Sequence, residues 1–320
     1  MSAPLIAFTE NVFPSLDPAM AALARLDPEV RMAESTSVDD ILDASRDADA
    51  ILVTYAKLPG ELIRQLSRCK AIGRFGIGVD NIDIKTATEM GITVTYVPDY
   101  CVHEVSDHAM ALLLALVRKI PFSNALVQGG RWEMPAVVPI HRFRDRILGL
   151  VGFGKIPRAL VPKAKAFGMR VVASDPYVPR ETLDAEGVEG VTFDQLLEMA
   201  DYISIHAPLT QETQGLFNAD AFAKMKPEAL LVNTARGPLI DEKALIAALD
   251  TGEIGGAALD VVATEPLTKD SPLLGRDNLI LSPHTAFYSV EALEELQTKC
   301  ASDVARVLSG EEPVYPVRPQ

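Results

Sequence analysis

Three segments in the last third of the chain place polar residues directly after apolar runs. In VNTARGPLIDE, Arg236 follows the run ending at Asn233; in LDVVATEPL, Asp260 closes a run and Glu265 stands a few residues on; in LSPHTAFYS, His284 follows the last run. A guanidinium is a planar, permanently charged fork suited to a carboxylate. A histidine titrates near neutrality and can protonate an oxygen that is becoming an alkoxide. A carboxylate beside that imidazole holds the ring and favours its charged form. Together the three types fit reduction of a 2-oxo acid by hydride transfer. Taken singly each has a plainer reading: Arg236 as a surface ion pair, His284 as a hydrogen-bonded structural residue, Glu265 before Pro266 as the start of a turn.

A hydride needs a carrier, and the stretch Arg146 to Asp175, RILGLVGFGKIPRALVPKAKAFGMRVVASD, has the pattern strand, glycine turn, helix, strand. In a dinucleotide-binding unit the first glycine, here Gly152, makes the tight turn. The second, Gly154, lets backbone approach the pyrophosphate, and the helix N-terminus supplies unpaired N–H groups and a positive dipole end. Asp175 lies about twenty residues beyond the glycines, where a carboxylate bonds the ribose of NAD and repels the 2′-phosphate of NADP. Pro157 replaces the third glycine and is tolerable in a first helical turn. Pro162 falls inside a helix running to about Phe167 and should kink it, at a cost of roughly 3 kcal/mol relative to alanine.

The elements that must position these residues alternate along the chain. Leu5–Phe8, Val30–Ala33, Ala50–Tyr55, Ala71–Phe75 and Thr93–Val97 read as strands, and Pro18–Leu26, Val38–Ala44 and Leu58–Leu66 as helices. Such alternation argues for right-handed βαβ units and a parallel sheet, whose ligands lie at the carboxyl ends of the strands. Two such loops stand out, Thr54-Tyr55-Ala56-Lys57 and Gly76-Ile77-Gly78-Val79-Asp80-Asn81. The glycines around Ile77 permit an anion nest before a helix starting near Ile82, or serve only the shape of the turn.

From Tyr100 to Val117 a long helix is apolar all round, which places it in a core or, as the favoured expectation, at a subunit interface. Gln128 to Arg142, with Trp132, reads as an irregular arm. The alternation then resumes, with strands at Tyr202–His206, Ala229–Asn233, Gly256–Asp260 and Leu279–Leu281 and helices at Phe193–Met199, Ala219–Met225, Asp241–Asp250 and Leu293–Leu308. The fold class is α/β, two Rossmann-like or flavodoxin-like doubly wound parallel-sheet domains with a cleft between them.

The 320 residues are 48% hydrophobic and 23% charged, ordinary for a soluble globular protein long enough for two cores. A net charge of −14 with no basic stripe argues against a nucleic-acid partner. Cys69, Cys101 and Cys300 are widely spaced and odd in number, which suits buried thiols in a reducing compartment and no metal site. No secretory signal or membrane-length apolar run is visible, so a cytoplasmic location and no membrane partner are expected.

The chain resembles the D-isomer-specific 2-hydroxyacid dehydrogenase family, which includes phosphoglycerate dehydrogenases, glyoxylate and hydroxypyruvate reductases and C-terminal-binding proteins. The resemblance rests on GRFGIGVDNID, EVSDHAMALLLALVRK, GLVGFGKI, HAPLT followed by Thr213, NTARG, ALDV with EPL, and SPHTA. DYCVHEVSDHA is most similar to the C-terminal-binding-protein branch. The resemblance carried by these motifs implies that residues 1–100 plus 290–320 form a discontinuous substrate-binding domain and residues 101–289 the NAD-binding domain. The resemblance implies that Arg236 holds the substrate carboxylate and carbonyl, that His284 is the acid/base and that Glu265 is its partner. It implies that Asp260 bonds the nicotinamide carboxamide and Asp175 the ribose. Gly152, Phe153, Gly154, Lys155, Ile156, His206, Ala207, Pro208, Thr213, Thr234 and Ala235 would line NAD. Ile77 and Gly78 would offer N–H groups to the substrate carboxylate, with Tyr55 and Lys57 beside them.

Arg74, Tyr100, His103 and Tyr288 are further cleft candidates, and Lys57 or Arg74 could take a second anionic group such as a phosphate. A homodimer through the 103–119 helix and the 121–145 arm is expected, with cofactor affinity weakened or altered by Pro157 and Pro162. The regulatory extension of some phosphoglycerate dehydrogenases is not expected, the sequence ending at Gln320. The leading expectation is an NAD-dependent oxidoreductase acting on a small D-2-hydroxy acid and its 2-oxo acid, of the glyoxylate, hydroxypyruvate or phosphoglycerate type. The alternative is an NADH-responsive corepressor-like binding protein with little turnover.

Overall fold

The computed structural model describes residues 3–318, and the chain forms two compact units, residues 1–100 with 289–320 and residues 101–288. Each is an open, wholly parallel α/β sheet. In the first, β1 (Leu5–Phe8), β2 (Glu29–Met32), β3 (Ala50–Val53), β4 (Ala71–Arg74) and β5 (Thr93–Thr95) lie in the order β2-β1-β3-β4-β5. All residues of β1 and β3 are buried, because helices cover both faces, whereas the edge strand β2 is mostly exposed. Helices Asp17–Leu23 and Val290–Leu308 pack together on one side. On the other side, Ile41, Leu62, Ile63 and Ala87, from helices Val38–Ser45, Gly60–Ile63 and Ile84–Glu89, meet Ile51, Val53 and Ile72 in one core.

The second unit holds β6 (Ile147–Val151), β7 (Arg170–Ser174), β8 (Glu189–Gly190), β9 (Tyr202–Ile205), β10 (Leu230–Asn233), β11 (Gly256–Leu259) and β12 (Leu279–Leu281). Their order, β12-β11-β10-β9-β6-β7-β8, winds outward in both directions from β6, the dinucleotide-binding arrangement. The register matters more than the order. Ser174 pairs with Val151, Val151 with Ile205, Ile205 with Asn233, Asn233 with Leu259, and Leu259 with Leu281. Asp175, Gly152, His206, Thr234, Asp260 and Ser282 each follow one of those partners, so six loops leave the sheet level with one another.

Several expectations shift. The helix at Gly60–Ile63 is a single turn rather than Leu58–Leu66, and the strand at Ala50 stops at Val53 rather than Tyr55 because Thr54, Tyr55 and Ala56 give their N–H groups to a side chain. Helix Ile120–Gln128 was not anticipated; it follows Lys119, which takes φ +51, and has Pro121 in its first turn, where a proline's missing N–H is harmless. Helix Arg180–Ala185 and the short β8 were also not anticipated.

Helix Val102–Val117 packs against β10, β11, β12 and helix Lys155–Ala166, so much of its apolar surround is used inside its own unit. Only a strip through His103, Asp107 and Ala111 stays exposed. Pro162 does not end its helix, which continues to Ala166. The ring lies on the exposed face, where water can serve the Arg158 carbonyl left without a donor. Among the described residues no single helix is long and apolar enough to cross a membrane.

Candidate active site

The turn after β12 carries His284 in a left-handed conformation, φ +52, uncommon for a residue with a side chain. Asp260, immediately after β11, holds that turn. Its carboxylate accepts from Ser282 Oγ at 2.6 Å, Thr285 N at 3.0 Å and Ala286 N at 2.9 Å, while its own carbonyl accepts from His284 N at 2.8 Å. Burial alone would raise the Asp260 carboxyl, but hydrogen bonds from His108, Ser282, Thr285 and Ala286 hold it below the usual carboxylate range. Asp260, expected as a ligand of the carboxamide, thus has both oxygens engaged in shaping the histidine turn.

The ring so placed meets Glu265. His284 Nδ1 lies 2.6 Å from Glu265 Oε2, and Glu265 Oε1 accepts from Val262 N at 3.0 Å. Burial pushes the Glu265 carboxyl up, but the His284 hydrogen bond and charge, the Val262 N–H and the nearby Arg236 charge outweigh it and leave the pKa lowered. The influence of Arg236 on Glu265 puts all three residues within electrostatic reach.

Arg236 is set by its own loop. Asn233, fully buried at the end of β10, donates to the Arg236 carbonyl at 2.9 Å and accepts from Ala235 N at 3.0 Å. Gly237 permits the loop to meet the Glu265 loop, since a Cβ there would overlap the backbone of Val262 and Ala263. Glu242, at the start of helix Glu242–Thr251, steadies the same place by accepting from Ala263 N at 2.6 Å.

Along the row lies a cradle that fits a dinucleotide. Gly152 takes φ +90, and a Cβ on it would lie 2.8 Å from Ala207 N, so only glycine brings the two loops this close. A Cβ on Gly154 would meet nothing within 4 Å, so the backbone there faces open space at the N-terminus of the helix that Lys155 and Ile156 begin. The Phe153 side chain is buried, leaving its backbone at the turn; its N–H donates to Asp175 Oδ2 at 2.8 Å, and Asp175 Oδ1 accepts from Tyr177 N at 2.9 Å. Pro157 occupies the first turn, where it forfeits no helical hydrogen bond.

His206 bonds Ser204 Oγ at 2.9 Å, and burial pushes its pKa down to about 3, so the ring is neutral. Thr213 closes the β9 loop by donating to the Pro208 carbonyl at 2.6 Å. Thr234 Oγ1 is buried with no hydrogen-bond partner, the kind of orphan a ligand satisfies.

Sequence reasoning passed over His108, Ser282, Asn233, Gly237 and Glu242. His108 Nε2 lies 3.1 Å from Ser282 Oγ and 3.4 Å from Asp260 Oδ1, but it sits on a helix remote in sequence, so only its place in EVSDHA could have marked it. Of the remaining expected residues, Tyr55 and Lys57 are exposed after β3, and Ile77 and Gly78 are half-buried after β4, all in the first unit. There Gly76, at φ +149, makes room for the Arg74 guanidinium, which turns back to the Phe75 carbonyl at 3.0 Å. Tyr100 is buried, and Tyr288 is half exposed.

Residues 110–286 match the family model for the D-isomer specific 2-hydroxyacid dehydrogenase NAD binding domain. The chain belongs to that family. It is 41% identical over 285 residues to a D-3-phosphoglycerate dehydrogenase of Methanocaldococcus jannaschii, covering 88% of this chain and 54% of that protein. A Mycobacterium tuberculosis D-3-phosphoglycerate dehydrogenase is 38% identical, covering 97% and 58% respectively. The chain thus spans about half the length of these curated relatives. Among solved structures, a D-lactate dehydrogenase from Aquifex aeolicus in complex with NAD and lactic acid superposes with a TM-score of 0.89 at 29% identity, covering 98% of this chain and 100% of that one. A Sinorhizobium meliloti glyoxylate/hydroxypyruvate reductase in complex with NADP and malonate gives 0.88 at 31% identity, covering 99% and 97%. As a member of the dehydrogenase family, the chain carries its NAD-binding domain on the second unit.

Proposed function

We propose that the protein is an NAD-dependent dehydrogenase interconverting a small D-2-hydroxy acid and its 2-oxo acid. The observation that carries this reading is the His284–Glu265 contact at 2.6 Å within reach of the Arg236 charge, on the strand ends that also bear the glycine turn. The dinucleotide, when bound, supplies or accepts the hydride at C2 of the acid. Arg236 holds the carboxylate and polarises the carbonyl oxygen. His284, its Nδ1 committed to Glu265, hands a proton to that oxygen through Nε2 in reduction and takes one from the hydroxyl in oxidation. Glu265, its pKa lowered, fixes the orientation of the ring.

Gly152 to Ile156, His206 to Pro208, Thr213, Thr234 and Ala235 line the cofactor in this reading. Asp175 selects NADH over NADPH by meeting a ribose and repelling a 2′-phosphate. Ile77 and Gly78 offer backbone N–H groups to the substrate carboxylate, with Tyr55 and Lys57 nearby. The apolar side chains exposed on the arm, Val127, Trp132, Met134 and Val138, support a homodimer built on the 103–119 helix and the 121–145 arm. Sedimentation of the wild type at twice the chain mass, and of Trp132→Ala/Met134→Ala at the chain mass, would bear this out.

The deciding experiment follows NADH oxidation over glyoxylate, hydroxypyruvate, pyruvate, phosphohydroxypyruvate and phenyl-substituted 2-oxo acids. Turnover of at least one is expected, with NADPH at least tenfold poorer and His284→Gln slowed about 10²–10⁴-fold. No turnover in either direction, or a His284→Gln protein as active as the wild type, defeats the reading.

A further inference from the structure

In the first unit the strand order reverses between β1 and β3, and open parallel sheets take ligands at the carboxyl edge of such a point. The loop after β3 directs three consecutive N–H groups, those of Thr54, Tyr55 and Ala56, at one spot, a nest built for an anion. The chain fills that nest itself. Glu10, from the loop after β1, accepts through Oε1 from Thr54 N at 3.1 Å, from Ala56 N at 2.9 Å and from Tyr55 N. Its other oxygen accepts from the Thr9 hydroxyl. Asn81, from the loop after β4, donates to the Ala56 and Thr54 carbonyls at 2.8 and 3.3 Å, lacing three loops around the carboxylate.

What this edge leaves unsatisfied is different in kind. Asn81 Oδ1 and Thr54 Oγ1 are buried without a partner, one an acceptor and the other a hydroxyl. A second anionic group arriving here would find its N–H donors taken and a like charge beside it. A hydroxyl would find acceptors. Of the nearby cations, Arg74, the last residue of β4, turns back to the Phe75 carbonyl, and Lys57, on the loop after β3, is exposed.

We propose that Glu10 is a specificity-determining residue, a built-in carboxylate that turns away 2-oxo acids bearing a phosphate or a second carboxylate and admits those whose far end is neutral. The proposal rests on the dehydrogenase reading for its substrate class, but not for the anion-filled nest. Full-length wild type, Glu10→Gln and Glu10→Ala are compared on hydroxypyruvate against phosphohydroxypyruvate and on pyruvate against oxaloacetate. The wild type favours the singly charged acid of each pair at least tenfold in kcat/KM. Glu10→Ala narrows that ratio at least tenfold, mainly through a lower KM for the dianion; Glu10→Gln falls between.

A wild-type preference for the dianions, or a ratio unmoved in a folded Glu10→Ala protein, overturns the proposal. A second measurement needs no turnover: inorganic phosphate raises the Tm of Glu10→Ala and leaves that of the wild type unchanged. The same phosphate response in both proteins, or in neither, overturns the proposal. If the phosphate difference is found but no 2-oxo acid is reduced, the dehydrogenase reading fails while the role of Glu10 in holding the nest stands.

Discussion

The acid/base role proposed for His284 needs a ring that cannot swing away, and that restraint comes from Glu265 and from the turn built on Asp260. Removing the charge while keeping the shape isolates the first contribution. Glu265→Gln is expected to lower kcat roughly 10–100-fold with little change in Tm, well short of His284→Gln in the same steady-state assay. Gly237 gives a complementary test, because a methyl group there must push the Arg236 loop off Val262 and Ala263. Gly237→Ala should therefore cost about 10²-fold in kcat/KM, the scale of a displacement near 1 Å, with both Arg236 and His284 still present.

Arg236, Glu265 and His284 could be picked out as candidates because each stands at or a few residues past the end of an apolar run and because their chemistry is complementary. Gly237, Asn233 and His108 were not, since what they do is meet residues far away in sequence, and no local pattern records that. Glu10 was hidden for the same reason, its three partners lying 44 to 46 residues on.

At the scale of elements, alternation and glycine turns foretold the two parallel sheets, the strand bearing Gly152 and the helix after it. Boundaries were less legible where a side chain ends a strand, as Glu10 does for β3, or where a left-handed residue starts a helix, as Lys119 does for Ile120–Gln128. Pro162 was expected to kink its helix at a cost in stability; the helix continues past it to Ala166, and the lost hydrogen bond faces water. Pro162→Ala should restore that bond and raise stability by about 1–3 kcal/mol, seen as a higher urea midpoint with an unchanged m-value.

Two carboxylates beside the strands of the second unit, Asp201 before β9 and Asp260 after β11, can also be probed by acid. Asp201 accepts from Ile147 N, Arg146 and Lys226, and these hydrogen bonds and charges lower its pKa although burial opposes them; Asp260 behaves likewise. Each carboxylate binds its proton more weakly folded than unfolded. Its contribution is therefore complete above the unfolded value of 3.8 and disappears as pH falls through the lower folded value. Asp201→Asn should be destabilised at neutral pH and lose less stability than the wild type on acidification, as read from urea midpoints between about pH 7 and pH 3.

For the molecule as a whole, the three cysteines behave as core residues. Cys69, Cys101 and Cys300 are all buried, and burial pushes the Cys69 thiol up to about 12 and that of Cys300 well above its ordinary value. The native protein should react with a thiol reagent at none of them within minutes, and at all three in denaturant; rapid labelling of the native chain would contradict the burial.

The discontinuous make-up of the first unit bears on how the protein is born. Helix Val290–Leu308 seals the sheet made by residues 5–95: Val304 and Cys300 press on Gly73, and the helix packs along Asp17–Leu23. A ribosome working at roughly 5–20 residues per second makes that sheet first and its cover some tens of seconds later, after the whole second unit has emerged. The second unit, continuous in sequence, can mature as it appears, while the first must wait with one oily side bare, a nascent-chain interval when chaperones matter most.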